Sequence, residues 1–172
     1  VAPVSGGEHI LLCKQLDRPV TSPRWDKDGK NIAVLVSDDC ERYIAAYEVS
    51  SKKMNKIMGG NRSFNSLERH PNGSWVTSMT NPQLPSEFYA LENNNLRRLT
   101  KVQDDFVAPL SLATVEKFTS KSKDGATVSN LLYLPANAGK EKLPVIFFIH
   151  GGPVSQDEYS FDLNNLYRQN FL

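Results

Sequence analysis

Hydrophobic and polar positions alternate in short runs over the first hundred residues, and the alternation recurs. The stretch SPRWDKDGKNIAVLVSDDCERYIAAYEVSSKKMNKIMGG, beginning at Ser22, can be laid on NSLERHPNGSWVTSMTNPQLPSEFYALENNNLRRLT, beginning at Asn65. Asp28-Gly29 then falls on Asn72-Gly73, a period of about 44 residues, which is the length of a propeller blade. Each unit starts with an extended segment ending at Trp25 or Arg69. Asp-Gly or Asn-Gly follows and supplies the positive φ angles of a tight hairpin turn. A β-rich strand comes next, residues 32–36 or 75–79, then a polar loop, then an aromatic-bearing strand, residues 43–47 or 87–91. A short strand closes the unit at 56–58 or 98–100. Four strands per unit is the inventory of one blade. The recurring order favours blades over two unrelated hairpins in a β-sandwich.

The periodicity changes after Pro109. LATVEKFTSKSKDGATVSNLLYLP predicts two strands around a third turn at Asp124-Gly125, with Val115 and Phe118 in the first strand and Val128 and residues 131–134 in the second. Pro135 ends it, and ANAGKEK is a polar loop. Residues 145–149, Val-Ile-Phe-Phe-Ile, are apolar at every position, which predicts a strand buried on both faces in the middle of an α/β sheet. The run stops at His150-Gly151-Gly152-Pro153. Ser155-x-x-Glu158 fits a capping box, and Leu163, Leu166, Tyr167 and Phe171 fall at helical spacing, so an amphipathic helix is expected there.

The chain has 172 residues, 40% hydrophobic and 23% charged, with a formal net charge of +1. That is a globular composition. Both signs are scattered, so neither a nucleic-acid stripe nor a membrane-surface helix is indicated. The longest apolar run is too short to span a bilayer. Cys13 and Cys40 form no CxxC, and two unpaired core thiols are expected rather than a disulfide. No metal or organic cofactor is implied. Asn61-Arg-Ser63 and Asn72-Gly-Ser74 are glycosylation sequons, although Asn72-Gly73 already has a use as a turn. There is no initiator Met and no signal peptide, so the N-terminus reads as a cut end. The compartment stays open, with a cytoplasmic parent preferred to a secreted or periplasmic one.

A strand running into His-Gly-Gly and then a helix matches the loop that donates a backbone N–H to the oxyanion hole of α/β-hydrolases. Glycine suits that loop because no Cβ blocks the approach of the substrate oxygen. The bare alternative is a Gly-Gly turn that starts a helix. The wider order resembles the prolyl oligopeptidase family of serine peptidases, in its acylaminoacyl-peptidase and dipeptidyl-peptidase-like branch. PRWDKDGKNIA resembles its propeller repeat, FTSKSKDGATVSNLLYLP the approach to its hydrolase domain, and LPVIFFIHGGP its first central strand and oxyanion loop. The resemblance spans essentially the whole chain.

The resemblance implies a mixed β and α/β fold. Residues 1–108 would be the C-terminal part of a β-propeller, about two four-stranded blades. Residues 109–172 would be the first strands and first helix of an α/β-hydrolase domain. It implies acyl-enzyme hydrolysis of short peptides. Gly152 would give the oxyanion N–H and Gly151 the clearance, with His150 and Pro153 shaping the loop. His150 is assigned no chemical role. No G-x-S-x-G occurs in these residues, and His9 and His70 lie in the repeat region, so the Ser-Asp-His triad is absent. Ser155 is a cap candidate and not a nucleophile. The expectation is therefore a piece of a longer enzyme, inactive alone and prone to self-associate, with a peptide substrate and room for a homo-oligomeric parent. Two other readings stay open: a non-catalytic propeller-type module that binds peptides or proteins, and an esterase or amidase of the same fold.

Overall fold

The computed structural model describes residues 1–139, 142–152 and 154–162. Eight strands form two consecutive antiparallel meanders. The first comprises β1 (Val20–Trp25), β2 (Asn31–Asp38), β3 (Glu41–Glu48) and β4 (Met54–Met58). The second comprises β5 (Ser63–Arg69), β6 (Trp75–Asn81), β7 (Leu84–Glu92) and β8 (Asn95–Arg98). The two are linked through one parallel pair, Arg42 beside Ser63. This is the expected pair of four-stranded units, with one shift: the closing strand expected at 98–100 lies at 95–98, and residues 99–100 are not strand. A short helix α1 (Asp104–Val107) follows, then a separate antiparallel hairpin of β9 (Thr114–Lys121) and β10 (Thr127–Leu134).

The packing explains the composition of β2. Ala33 and Leu35 face a core shared by the two meanders, with Ile44, Phe64, Leu67, Met79 and Tyr89. Ile32, Val34 and Val36 face the opposite way, with Tyr43, Ala45 and Tyr47, and are covered by Leu12 and Leu16 of the N-terminal segment. A strand buried on both faces needs apolar residues at consecutive positions, and β2 supplies them.

The hairpin turns are arranged differently from the expectation. Gly29, Gly73 and Gly125 take positive φ (69°, 95° and 88°), but Asp28, Asn72 and Asp124 do not. At residues 70–74 the Gly73 N–H donates to the His70 carbonyl and the His70 N–H to the Ser74 carbonyl, both at 2.8 Å. That is a three-residue loop, a turn closed by a glycine bulge. Residues 122–126 repeat it, with both corresponding bonds at 2.9 Å. The two-residue turns with both central residues at positive φ lie elsewhere, at Asp39-Cys40 (52°, 67°) and Asn93-Asn94 (49°, 61°).

The apolar run at 145–149 is also corrected. It forms no strand in the described residues. Val145, Phe147 and Ile149 are 71%, 88% and 89% exposed. A strand exists only by pairing, and none of the described strand pairings includes this run. On the β9–β10 hairpin, Phe118, Val128 and Leu132 share one face by register and are exposed as well. Both cysteines are free, as expected, but only Cys40 is in the core; Cys13 is exposed. The helix expected from Leu163 to Phe171 lies outside the described residues.

Candidate functional site

The site is built from the tip of the β2–β3 hairpin upward. Asp38 pairs with Glu41, so Asp39 and Cys40 alone make the turn. Positive φ at two successive non-glycine residues costs backbone strain that surrounding contacts must hold. They do so from two directions. The Asp39 carboxylate accepts from Ser129 Oγ on β10 at 2.6 Å and is ion-paired with Lys117 of β9. The Lys117 ammonium and the Ser129 hydroxyl hold the Asp39 carboxyl below the usual carboxylate range, against the opposing effect of partial burial. The Cys40 carbonyl accepts the Tyr159 N–H at 2.8 Å. Burial pushes the Cys40 thiol and the Tyr159 phenol up, so neither is primed as a nucleophile or base near neutrality.

Tyr159 belongs to the segment after the two glycines, and that segment is laid along the ends of the meanders. Gln156 Nε2 donates to the Glu41 carbonyl at 3.0 Å. Glu158 accepts from Arg42 Nη2 and from Gln156 Nε2, each at 3.2 Å. The Phe161 N–H donates to Thr80 Oγ1 at 3.1 Å, and the Phe161 ring meets Phe106 edge-on. The expected capping box is therefore absent: residues 154–162 are not helical. Glu158 turns to Arg42 because a guanidinium is a stronger partner for a half-buried carboxylate than one backbone N–H.

The two glycines differ. Around Gly151 nothing lies where a Cβ would go, so the backbone there is open to an approaching group. Gly152 has φ of 151°, and a Cβ would sit 2.8 Å from Ser155 Cβ and 3.0 Å from Ser155 N. Only glycine fits this conformation and this close return of the chain. Both glycines are exposed. His150 Nδ1 lies 3.0 Å from the Gly151 carbonyl, a contact within the loop. Pro153 lies outside the described residues. An open cleft of about 630 Å³ lies alongside, lined by Arg18, Arg42, Ser155, Gln156 and Glu158 among others.

His70 is remote, in the β5–β6 turn, where its Nδ1 accepts the Asn72 N–H at 3.3 Å. No cluster of His, Cys, Asp or Glu that could hold a metal occurs among the described residues. The structure thus sets Gly152 against Ser155, three residues before the Glu158 that Arg42 holds, and pairs Asp39 with Lys117 at the hairpin tip that anchors Tyr159. Arg42, Asp39 and Lys117 escaped the sequence reading because they carry no motif, and Glu158 entered it only as half of a capping box: the partners of these residues are 78 and 116 residues away along the chain.

No family model and no curated protein matches the chain by sequence. Solved structures do match. An acylaminoacyl peptidase from Pyrococcus horikoshii superposes with a TM-score of 0.72 at 20% identity, covering 88% of this chain and 23% of its own. An acylaminoacyl peptidase solved with Z-Gly-Gly-Phe-chloromethyl ketone gives 0.76 at 20% identity, covering 91% of this chain and 24% of its own. The fold is that of an acylaminoacyl-peptidase segment. The AtxE2 isopeptidase, solved with Astexin3-dC4 bound, matches at 0.68 and 16% identity over 90% of this chain and 24% of its own. The chain thus spans about a quarter of the length of the acylaminoacyl peptidases it matches.

Proposed function

We propose that this chain is the junction between a β-propeller and an α/β-hydrolase domain in a serine peptidase that cleaves short peptides through an acyl-enzyme. The boundary falls near residues 108 and 109. The Gly152 N–H donates to the oxyanion of the tetrahedral intermediate, and Gly151 leaves the space through which the substrate carbonyl approaches. The serine, acid and histidine come from chain outside these 172 residues.

The observation that carries this reading is the likeness of some nine-tenths of the chain to acylaminoacyl peptidases. Two features agree with it. The glycine-only backbone at residue 152 is what a loop needs to aim an N–H at a developing charge. The exposed apolar residues at 145–149 and on the β9–β10 hairpin are what a hydrolase body would cover.

The test is kinetic, on the natural gene product that carries this chain. Gly152→Ala keeps the N–H but its Cβ would collide with Ser155 and turn that donor out of aim, so kcat on a short peptide substrate should fall by up to about 10²- to 10³-fold, the typical effect of losing one oxyanion donor, with little change in KM. An unchanged kcat contradicts the assignment. A panel of aminoacyl, dipeptidyl and ester substrates then separates a peptidase from an esterase or amidase built on the same fold.

A further inference from the structure

Arg42 is held on three sides. Its Nε donates to Ser37 Oγ at 3.2 Å, its Nη1 to Asn65 Oδ1 at 3.4 Å and its Nη2 to Glu158 Oε1 at 3.2 Å. Ser37 is on β2 and Asn65 on β5, so the guanidinium spans both meanders before it reaches Glu158. The Glu158 side chain is only 12% exposed, and Gln156 ties the same carboxylate to the Glu41 carbonyl. Three residues before Glu158, Ser155 packs so closely against Gly152 that even a methyl group there would collide with it. The path from the meanders to Gly152 is therefore short: Arg42, Glu158, the close approach of Ser155, and the glycine.

We infer that Arg42 is a positioning residue: acting through Glu158, it fixes the orientation of the Gly152 N–H. The inference rests on the proposed oxyanion role of Gly152. The backbone donors of Tyr159 and Phe161 anchor the segment whatever its side chains are. The Arg42–Glu158 pair adds direction, because a planar guanidinium with three fixed acceptors leaves little freedom to the carboxylate it holds. An oxyanion donor works only when aimed before the charge develops, and a misplacement of about 1 Å can cost about 100-fold in rate.

The experiment uses the natural gene product and a short peptide substrate. Arg42→Ala and Glu158→Gln should each lower kcat by roughly 10- to 100-fold, with KM changed less than about threefold. The double variant should be little worse than Arg42→Ala alone, since each single variant already removes the Arg42–Glu158 contact. Arg42→Lys should recover part of the loss. Hydrogen exchange should show the Tyr159 amide still protected in Glu158→Gln, with faster exchange at Gly152. Unchanged kcat in Arg42→Ala and Glu158→Gln, while Gly152→Ala is impaired, overturns the role of Arg42 and leaves the peptidase reading standing. Equal effects on kcat and on the melting midpoint, without rescue by lysine, make Arg42 merely structural and also overturn it. A Gly152→Ala enzyme with full activity removes the reading beneath both.

Discussion

Arg24 and Glu68 form a two-pronged ion pair across the two meanders, with Nη2 to Oε1 at 2.5 Å and Nε to Oε2 at 2.9 Å. They are 44 residues apart, which is the repeat period, so equivalent positions of neighbouring units face each other. The pair is exposed, and exposed pairs contribute little and are screened by salt. Arg24→Ala and Glu68→Gln should each give a small fall in melting midpoint at low ionic strength that disappears near 1 M salt. Salt-independent losses in thermal melts would show that Arg24 acts through packing of its stem instead.

The shared core carries far more weight. Phe64 is fully buried between the meanders. Phe64→Ala should destabilise the protein by about 3–5 kcal/mol, the usual cost of emptying an aromatic site. Denaturant unfolding measures it. A loss near that of an exposed residue would mean that the two meanders do not pack as one body.

Acid should loosen the junction. Thr100 and Arg98 side chains and the Gln103 N–H together outweigh the burial that opposes ionisation of Glu87, and hold its carboxyl below the ordinary 4.5. Lys117 and Ser129 hold Asp39 below the ordinary 3.8. Both folded-state values are depressed. Their stabilisation is therefore present above the ordinary carboxylate values and is lost as pH falls through the lower folded ones. Hydrogen exchange followed from pH 5 downward (about 5 to 2) should show the β9–β10 hairpin losing protection below the ordinary Asp value, and Asp39→Asn should remove that dependence. Protection that is flat with pH would contradict the role given to Asp39.

The isolated chain should self-associate through its exposed apolar run. Phe147 and Ile149 are the most open members of it, and exposed apolar surface invites association with another copy. Replacing both with lysine should shift sedimentation towards monomer. A wild-type chain that is already monomeric at high concentration would contradict this.

The sequence made the repeat legible because turn residues and apolar runs recur in the same order. It located three hairpin turns but mistyped them, and it missed the two-residue turns for a physical reason. Asn93-Asn94 has the composition of such a turn, but Asp39-Cys40 does not, and its conformation is imposed by Lys117, Ser129 and Tyr159. The glycines at 151 and 152 were visible as a motif. The segment that holds them was not: Ser155 and Glu158 fit a local capping pattern, and the partner that overrides it, Arg42, is distant in sequence. The apolar run at 145–149 reads as a strand on composition, whereas strand formation depends on neighbours.

The most direct test is a structure of the natural gene product with a peptide aldehyde bound as a tetrahedral adduct. The Gly152 nitrogen should lie about 2.7–3.1 Å from the adduct oxygen, with Arg42 and Glu158 still paired. An adduct oxygen held by other donors, with the residue 152 amide turned away into solvent, would contradict it.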